Sequence, residues 1–389
     1  MVIMSQNKKK IKLAIFTGSD MRTFGGGEKY VVELVNRLKS FEIVIFSYNG
    51  KPPFRQTYAQ IKKICKTKIA YYNAFELPLI KERFMFTLSG IKALNELQKF
   101  DVVYCLDNSF FTNLLLYIAS RKYKFKYILG IHDANILKDK PIIPSSARRM
   151  LLKIYAPIRN FGIMHAPNIR VVNEADGEKL RNMGYKGQIY KITDFVNVGR
   201  TKVRINKNRF IVLFVGRLSI EHKGVDFLIE IINKVLKLNS NIFFDIVGSG
   251  DNGEKIVMNL VKKNPNNVKW LGFINEKMLS KEYAKANLLL FPSRFESFGL
   301  SLAEGQAYGL PAVAFNVRGP NVIIKNNLQG ALIEPFHVNL MVSEVIKYYK
   351  LWKNNKKDYF RIKQSISKII TRRFGQDTIM PKIINMFTT

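Results

Sequence analysis

Two glutamates lie on either side of a turn that leads into a short helix. Glu296 and Glu304 are eight positions apart and follow an apolar stretch that ends at Phe291. The stretch predicts a buried strand, and the pattern behind it predicts a helix that begins near Gly299. We expect Ser297 to be the N-cap of this helix. A further strand follows, and this order is typical of a parallel sheet, which binds ligands at the carboxyl ends of its strands.

The backbone amides at the start of this helix have no partner within the helix, and together with the helix dipole they attract anions. These amides belong to Phe298, Gly299, Leu300 and Ser301. A carboxylate on each side of a phosphate site suits a ligand that carries both phosphates and sugar hydroxyls. The spacing alone fits equally well an ordinary amphipathic helix with two solvated glutamates.

A pair of cations follows another predicted strand, at residues 210–215. Gly216 and Arg217 come directly after it, and Lys223 follows six residues after the arginine. Arginine offers a planar fork of donors and lysine a compact charge, and both suit a diphosphate. Taken alone, one arginine and one lysine in a loop are more often solvated side chains.

The first part of the chain offers two further candidate sites. Gly26 and Gly27 stand between a predicted strand at 11–16 and a helix with apolar residues at helical spacing. Glycines let a backbone approach a ligand closely, although a glycine triplet is as often a mere turn. His132 directly follows a predicted strand at 127–131, where sheets of this kind bind ligands. As an isolated feature it is more often a structural histidine.

These motifs together resemble the retaining glycosyltransferases with the GT-B fold, chiefly glycosyltransferase family four. The resemblance rests on the two glutamates, on Phe298-Gly299-Leu300 between them and on the closing Gly309-Leu310-Pro311. It implies an α/β protein with two Rossmann-like doubly wound domains that face each other across a cleft. Residues 1–195 would bind the acceptor and residues 196–369 the nucleotide sugar, while the helix at about 370–389 would pack back on the first domain.

The same resemblance implies roles for the candidates in the second domain. Glu296 would position the donor sugar, and Glu304 would bind the ribose of the nucleotide. The donor diphosphate would be bound by the amides at the helix start and by Gly216, Arg217 and Lys223. These cations would stabilise the negative charge that develops on the leaving diphosphate.

In the first domain, the resemblance implies that Gly26 and Gly27 face the donor phosphates and the acceptor. His132 would contact the transferred sugar or the acceptor. The chain departs from the family near the donor sugar, where Gly-Gly-x-x-Glu is common. Arg318 and Val322 stand at the first and last of those positions, which leaves the sugar contacts there open.

The resulting hypothesis is a hexosyltransferase, in class EC 2.4, that moves a sugar with retention from a nucleotide-diphosphate sugar to a hydroxyl of a glycan or lipid-linked glycan. The chain contains no Asp-x-Asp pair, so we expect cations to replace the divalent ion that other transferases use, and neither a metal nor a cofactor. A sugar phosphorylase or sugar-phosphate synthase of similar architecture is the alternative enzyme.

Length and composition are consistent with a two-domain enzyme. The 389 residues exceed a single core, and the polar stretch 194–207 is the predicted linker. Basic amphipathic helices are predicted at about 338–353 and 357–373. No apolar run of about 18 residues occurs that would span a membrane, and residues 11–16 are predicted as a strand instead of a signal peptide, hence a cytoplasmic protein. The two cysteines provide neither a disulfide framework nor a metal site.

The net charge of +34 suggests a polyanionic partner. An amphipathic pattern within residues 145–160 predicts peripheral contact with an anionic membrane, at its inner face. Its apolar and basic positions, with three nearby lysines, are Leu151, Ile154, Tyr155, Ile158, Arg148, Arg149, Lys153, Arg159, Lys122, Lys124 and Lys126. A domain-packing helix explains the pattern equally well, and a lysine-rich genome explains the charge. A non-catalytic nucleic-acid-binding protein is a distant alternative, and no nucleic acid partner is expected, because aromatic–basic binding motifs are missing.

Overall fold

The computed structural model of the protein describes most of the chain. The described residues are 10–23, 26–50, 65–77, 82–85, 87–106, 109–132, 160–197 and 203–389. Contacts divide the chain into two units. The first unit consists of Met1–Ile192 and Met380–Thr389, and the second consists of Thr193–Ile379.

The first unit is a parallel sheet with helices on its faces. Its elements in chain order are β1 (Ile11–Thr17), α1 (Gly26–Arg37), β2 (Phe41–Tyr48), β3 (Lys68–Tyr72), β4 (Phe75–Leu77), β5 (Glu82–Phe84), α2 (Leu88–Glu96), β6 (Val102–Cys105), α3 (Phe110–Tyr123), β7 (Lys126–Ile131), β8 (Asn168–Val171), α4 (Glu174–Asn182) and β9 (Gln188–Lys191). Seven strands form the sheet in the order β3-β2-β1-β6-β7-β8-β9, and β4 and β5 pair separately as an antiparallel hairpin.

Apolar side chains hold this sheet between its helices. Residues 13–16 of β1 are fully buried, as expected for a parallel strand covered on both faces. Phe16 stacks on Phe46 of β2 with ring centres 4.7 Å apart. Because the strand order runs outward from β1 in both directions, the carboxyl ends of the central strands border a crevice.

The second unit repeats this plan. Its elements are β10 (Phe210–Val215), α5 (Ile220–Lys223), α6 (Val225–Leu238), β11 (Ile242–Val247), α7 (Glu254–Lys263), β12 (Val268–Gly272), α8 (Glu276–Lys285), β13 (Leu288–Phe291), α9 (Leu300–Ala307), β14 (Ala312–Phe315), α10 (Arg318–Ile323), β15 (Gly330–Ile333), α11 (Val338–Asn354) and α12 (Lys356–Phe374). Six parallel strands take the order β12-β11-β10-β13-β14-β15, so the order reverses between β10 and β13. The two doubly wound sheets predicted from the sequence are therefore present.

The last helix, α13 (Gln376–Thr388), ends among residues of the first unit. Phe387 packs edge-on against Phe41 and Tyr104, with ring centres 5.9 and 5.4 Å apart. The ammonium of Lys126 donates a hydrogen bond to the carbonyl of Met386 at 2.8 Å. The end of the chain thus completes the core of the first unit.

Some sequence-based predictions differ from the structure or cannot be compared with it. No strand is predicted from the sequence within residues 51–99, but β3 forms an edge of the sheet there. Of the three lysines predicted near a membrane surface, Lys122 and Lys124 are exposed, whereas Lys126 is partly buried and hydrogen-bonded. The amphipathic pattern before residue 160 lies outside the described residues. Within the described ranges, every helix is too short or too polar to cross a bilayer.

The buried Lys363 of α12 predicts a pH dependence of stability. Burial lowers the pKa of its ammonium from 10.5 to about 7, and its Nζ donates a hydrogen bond to the carbonyl of Ala286 at 2.7 Å. Between about pH 7 and pH 10 the unfolded chain holds this proton and the folded chain does not. The free energy of unfolding should therefore rise with pH, by up to about 1.4 kcal/mol per pH unit.

Lys363→Met should flatten this rise, because methionine has no proton to lose. Urea unfolding of the wild-type protein and of Lys363→Met at pH 7 and pH 9 measures the effect. The contributions of all other ionisable groups cancel when the pH-dependent change in the free energy of unfolding is compared between the two proteins. Equal changes in stability for the two proteins would show that the lysine is not buried as described.

Candidate functional site

The strand ends of the second unit bring the predicted cations and glutamates together. β10 and β13 are neighbours in the sheet, and the strand order reverses between them. Their carboxyl ends therefore border the crevice in which doubly wound sheets bind ligands. The loop after β10 leads to α5, which ends with Lys223, and the loop after β13 carries Glu296.

An ion pair joins these two loops. The ammonium of Lys223 contacts Oε1 of Glu296, and Ser293 Oγ donates a hydrogen bond to the same oxygen at 3.2 Å. Only 19% of the Lys223 side chain and 11% of the Glu296 side chain are exposed. The stem of the lysine packs over Gly216, where a Cβ would lie 3.4 Å from Lys223 Cδ. Burial and the second hydrogen bond fix this pair more firmly than a surface ion pair.

Glycine 224 sets the distance between the two loops. Gly224 has a left-handed φ of 62°, and a Cβ there would lie 2.1 Å from the carbonyl oxygen of Pro292. The amide of Arg294 donates a hydrogen bond to the carbonyl of His222 at 3.0 Å. The absence of a side chain at position 224 therefore lets the loop after β13 pack directly on the end of α5.

A second ion pair holds the same loops, and sequence reasoning missed it. Arg294 donates hydrogen bonds to both carboxylate oxygens of Asp226, at 2.5 and 2.6 Å, and to the carbonyl of Ile220 at 2.6 Å. Its guanidinium lies 4.0 Å from the centre of the Phe227 ring, a cation–π contact. Burial opposes ionisation of Asp226, but the hydrogen bonds and charge of Arg294 outweigh it and lower the pKa of this carboxyl.

The start of α9 differs from the prediction in its cap. Gly299 is the N-cap, with a left-handed φ of 94° and no side-chain hydrogen bond. The prediction that Ser297 caps the helix was wrong, because the chain turns at the glycine that directly precedes the helix. Leu300 and Ser301 form the first turn, and Ser301 Oγ donates a hydrogen bond to the carbonyl of Val215 at 3.1 Å. This contact fixes the helix start to the end of β10.

The remaining candidates of the second unit lie around this ion pair. Phe298 is buried and packs edge-on against Phe374, with ring centres 5.3 Å apart. Gly319 fits beneath this loop, since a Cβ there would lie 2.4 Å from the carbonyl oxygen of Phe298. Arg217 is exposed, and within the described residues no hydrogen bond or ion pair engages its guanidinium. Arg217 can therefore turn toward an anionic ligand without breaking an existing contact.

Glu304 is held by a tyrosine that sequence reasoning also missed. The hydroxyl of Tyr283, on α8, lies 3.2 Å from Oε2 of Glu304 and 3.2 Å from the carbonyl oxygen of Ser301. Burial raises the pKa of Tyr283 well above its usual value, and the charge of Glu304 adds to the effect. The hydroxyl therefore keeps its proton and acts as a donor.

In the first unit, α1 begins with the two glycines predicted as candidate site residues. Gly26 and Gly27 are its first two residues, and both are exposed. A Cβ on either would meet no atom of the described residues within 4 Å. His132 follows β7 in the same unit, as predicted from the sequence.

A fully buried arginine organises the strand ends of the first unit. Arg170 lies on β8, and its Nε donates a hydrogen bond to the carbonyl of Ile192 at 3.0 Å. Its Nη1 donates to the hydroxyls of Tyr30 at 2.6 Å and Tyr104 at 2.8 Å. Because these tyrosines lie on α1 and β6, one side chain connects the glycine-led helix to the sheet. An arginine between Ile169 and Val171 in a buried strand was the sequence signal for this role.

The same network orients His132. Its Nε2 lies 3.1 Å from the hydroxyl of Tyr104 and 3.3 Å from Nη1 of Arg170. The Tyr104 hydroxyl accepts a hydrogen bond from Arg170, so its own proton is directed to Nε2, which acts as the acceptor. This pattern assigns the ring proton to Nδ1. The imidazole also packs on the Tyr30 ring, with centres 5.3 Å apart. His132 therefore presents an N–H donor on a ring of fixed orientation.

In the part of the chain that the structure describes, no three His, Cys, Asp or Glu side chains come together as a metal site requires. Lys223 and Arg217 both follow β10, at the carboxyl end of this strand. Metal independence stays a prediction.

Comparison with known proteins identifies the second unit. Residues 197–364 match the family model described as glycosyl transferases group 1. The match covers most of the second unit. The matched segment contains the ion pair between Lys223 and Glu296, and it also contains Glu304. The narrower assignment to glycosyltransferase family four stays a prediction.

Curated relatives match this domain over part of their length. A 41.2 kDa uncharacterised protein from the cps region of Klebsiella pneumoniae is 33% identical over 157 residues, which are 40% of this chain and 42% of that protein. An uncharacterised glycosyltransferase of Methanocaldococcus jannaschii is 29% identical over 191 residues, 48% of this chain and 47% of the relative. The chain thus matches less than half the length of these relatives.

A solved structure matches over the whole chain. HepE of Anabaena, in complex with UDP and glucose, superposes with a TM-score of 0.74 at 18% identity, covering 97% of this chain and 100% of that one. At this identity the likeness shows the fold. The chain has the GT-B fold, as predicted from the sequence.

Gly224→Ala should disturb the site through the contact with Pro292. A left-handed conformation costs an L-residue about 1–2 kcal/mol, and the new Cβ would also collide with the Pro292 carbonyl. Gly184→Ala is the matched control, because Gly184 has a φ of 89° but a Cβ there would meet nothing within 4 Å. Thermal unfolding should show the larger loss of stability for Gly224→Ala. Equal losses would mean that the loop packing does not depend on Gly224.

Proposed function

We propose that the protein is a retaining glycosyltransferase that moves a sugar from a nucleotide-diphosphate sugar to an acceptor hydroxyl. The observation that carries this proposal is the partly buried pair of Lys223 and Glu296 at the reversal of strand order in the second unit. It combines a cation suited to a diphosphate with a carboxylate suited to sugar hydroxyls. The match to the group 1 family supports the same reaction class.

The donor diphosphate would lie against three positive features of the second unit. Arg217 has a guanidinium that can form a bidentate contact with a phosphate. Lys223 already lies in the crevice, and the first-turn amides of α9 at Leu300 and Ser301 add the positive end of a helix dipole. These groups would stabilise the charge that develops on the leaving diphosphate as the glycosidic bond breaks. We propose that they do so without a divalent metal ion.

Glu296 is proposed to position the donor sugar instead of attacking it. Its carboxylate is engaged by Lys223 and by Ser293, and these contacts reduce the electron density available for bond formation. The acceptor hydroxyl would then attack the anomeric carbon from the face that the diphosphate leaves, and its proton would pass to an oxygen of the leaving diphosphate. Attack from this face retains the configuration. Glu304 would bind the ribose. In the first unit, His132 and the start of α1 at Gly26 and Gly27 would contact the transferred sugar, the donor phosphates or the acceptor.

UDP is the donor nucleotide to test first, because the superposed HepE of Anabaena was solved with UDP and glucose. The acceptor is proposed to be a glycan or a lipid-linked glycan. Contact with an anionic membrane from the cytoplasmic side remains part of the proposal, supported by the net charge of +34 and by the exposed Lys122 and Lys124.

Two substitutions should separate the binding of the nucleotide from the handling of the sugar. Lys223→Met should weaken UDP binding at least about tenfold, because a charge-assisted contact is lost. Glu296→Gln should leave UDP binding unchanged or tighter, since the lysine loses its competing carboxylate, but it should abolish hydrolysis and transfer of the donor sugar. Isothermal titration measures binding, and release of UDP from UDP-glucose and other UDP-sugars measures the reaction.

Lys234→Met is the control for loss of a lysine, because Lys234 forms an exposed ion pair with Glu230 on α6. It should bind UDP as the wild-type protein does. Normal turnover by Glu296→Gln, or normal nucleotide binding by Lys223→Met, would refute the assigned roles. A reaction that requires inorganic phosphate would indicate a phosphorylase instead.

A further inference from the structure

The contact between Tyr283 and Glu304 joins two helices that are separated by a strand of the sheet. Tyr283 lies near the end of α8, before β13, and Glu304 lies on α9, after it. The tyrosine is almost fully buried, at 2% exposure. A buried hydroxyl that reaches a partly buried carboxylate is a specific arrangement, because each group would lose free energy if the other were absent.

Packing determines how far this hydroxyl reaches. The Tyr283 ring stacks on Tyr308 with centres 5.4 Å apart and an angle of 26° between the planes. The ring also lies close to Gly305. A Cβ at that position would lie 3.4 Å from Tyr283 Cε1 and 3.0 Å from Leu289 Cδ2. Since glycine adjoins Glu304 in α9, the ring approaches the helix closely enough for its hydroxyl to meet the carboxylate.

The single hydroxyl proton has two acceptors at the same distance. Both Oε2 of Glu304 and the carbonyl oxygen of Ser301 lie 3.2 Å from the Tyr283 hydroxyl. The carbonyl already takes part in the hydrogen bonding of α9, whereas the carboxylate is charged and forms the stronger bond. An ionised Glu304 is therefore the preferred acceptor.

We propose that Tyr283 is a positioning residue that holds Glu304 in the conformation that binds the ribose of the donor nucleotide. This inference rests on the proposed function. A glutamate that is already held loses less side-chain entropy when the ligand binds. A carboxylate has about four acceptor directions, and the tyrosine hydroxyl uses one of them.

The inference predicts an effect that depends on the sugar of the nucleotide. Tyr283→Phe keeps the ring and its stacking but removes the hydroxyl. It should weaken the binding of UDP by about three- to tenfold. The binding of 2′,3′-dideoxyuridine diphosphate, which lacks the ribose hydroxyls, should not change. The ratio of the affinity for UDP to the affinity for the dideoxy nucleotide, which measures the preference for ribose, should fall by the same factor.

Two further variants are the controls for measuring how Tyr283→Phe binds the two nucleotides. Glu304→Gln should lose most of the ribose preference, because it removes the charged acceptor itself. Tyr308→Phe removes a hydroxyl from the ring that stacks on Tyr283 and should leave the preference unchanged. If loss of the Tyr283 hydroxyl only disturbed the packing of α8 and α9, Tyr283→Phe would weaken both nucleotides equally.

The outcomes separate the two proposals. If wild-type protein binds neither nucleotide, the proposed function fails, and with it the role of Tyr283. If wild-type protein prefers UDP and Glu304→Gln loses this preference, but Tyr283→Phe retains it, only the role of Tyr283 is overturned. A reduced preference in Tyr283→Phe with normal binding of the dideoxy nucleotide supports the inference.

Discussion

The partly buried ion pair between Lys223 and Glu296 depends on the close approach of two loops. The pair forms only where the loops after β10 and β13 are held together. The parallel pairing of β10 with β13 places both loops at the carboxyl ends of these strands, on the same side of the sheet. Gly224 then permits the contact with the Pro292 carbonyl, and Arg294 secures it through Asp226.

In the first unit, a buried arginine with hydrogen bonds to two tyrosines takes the place of the ion pair. Arg170 is fully buried and donates hydrogen bonds to Tyr30 and Tyr104. The helix that begins at Gly26 is thereby fixed to the sheet, and His132 receives its orientation from the same network. In both units, a cation on the sheet or at its strand ends orders the residues that are proposed to meet the substrate, and glycines provide the space around them.

Much of the architecture could be predicted from local sequence patterns. The strands β7 and β10 and the helices α11 and α12 follow from apolar runs and helical spacing, and the candidate residues from the motifs around Glu296 and Glu304. The supporting contacts could not be predicted in this way. Arg294 and Asp226 are 68 residues apart, and Arg170 and Tyr30 are 140 apart. Such pairs meet only through the tertiary fold, and the left-handed turn at Gly299 likewise replaced the expected cap at Ser297.

The central claim is that the strand ends of the second unit bind a nucleoside diphosphate. Amide hydrogen exchange measured with and without UDP tests this claim directly, because the first-turn amides of α9 and the loop after β10 would be covered by the phosphates. We expect slower exchange on UDP binding at residues 216–223 and at residues 299–304. Unchanged exchange in both segments at saturating UDP, or protection confined to other parts of the chain, would contradict it.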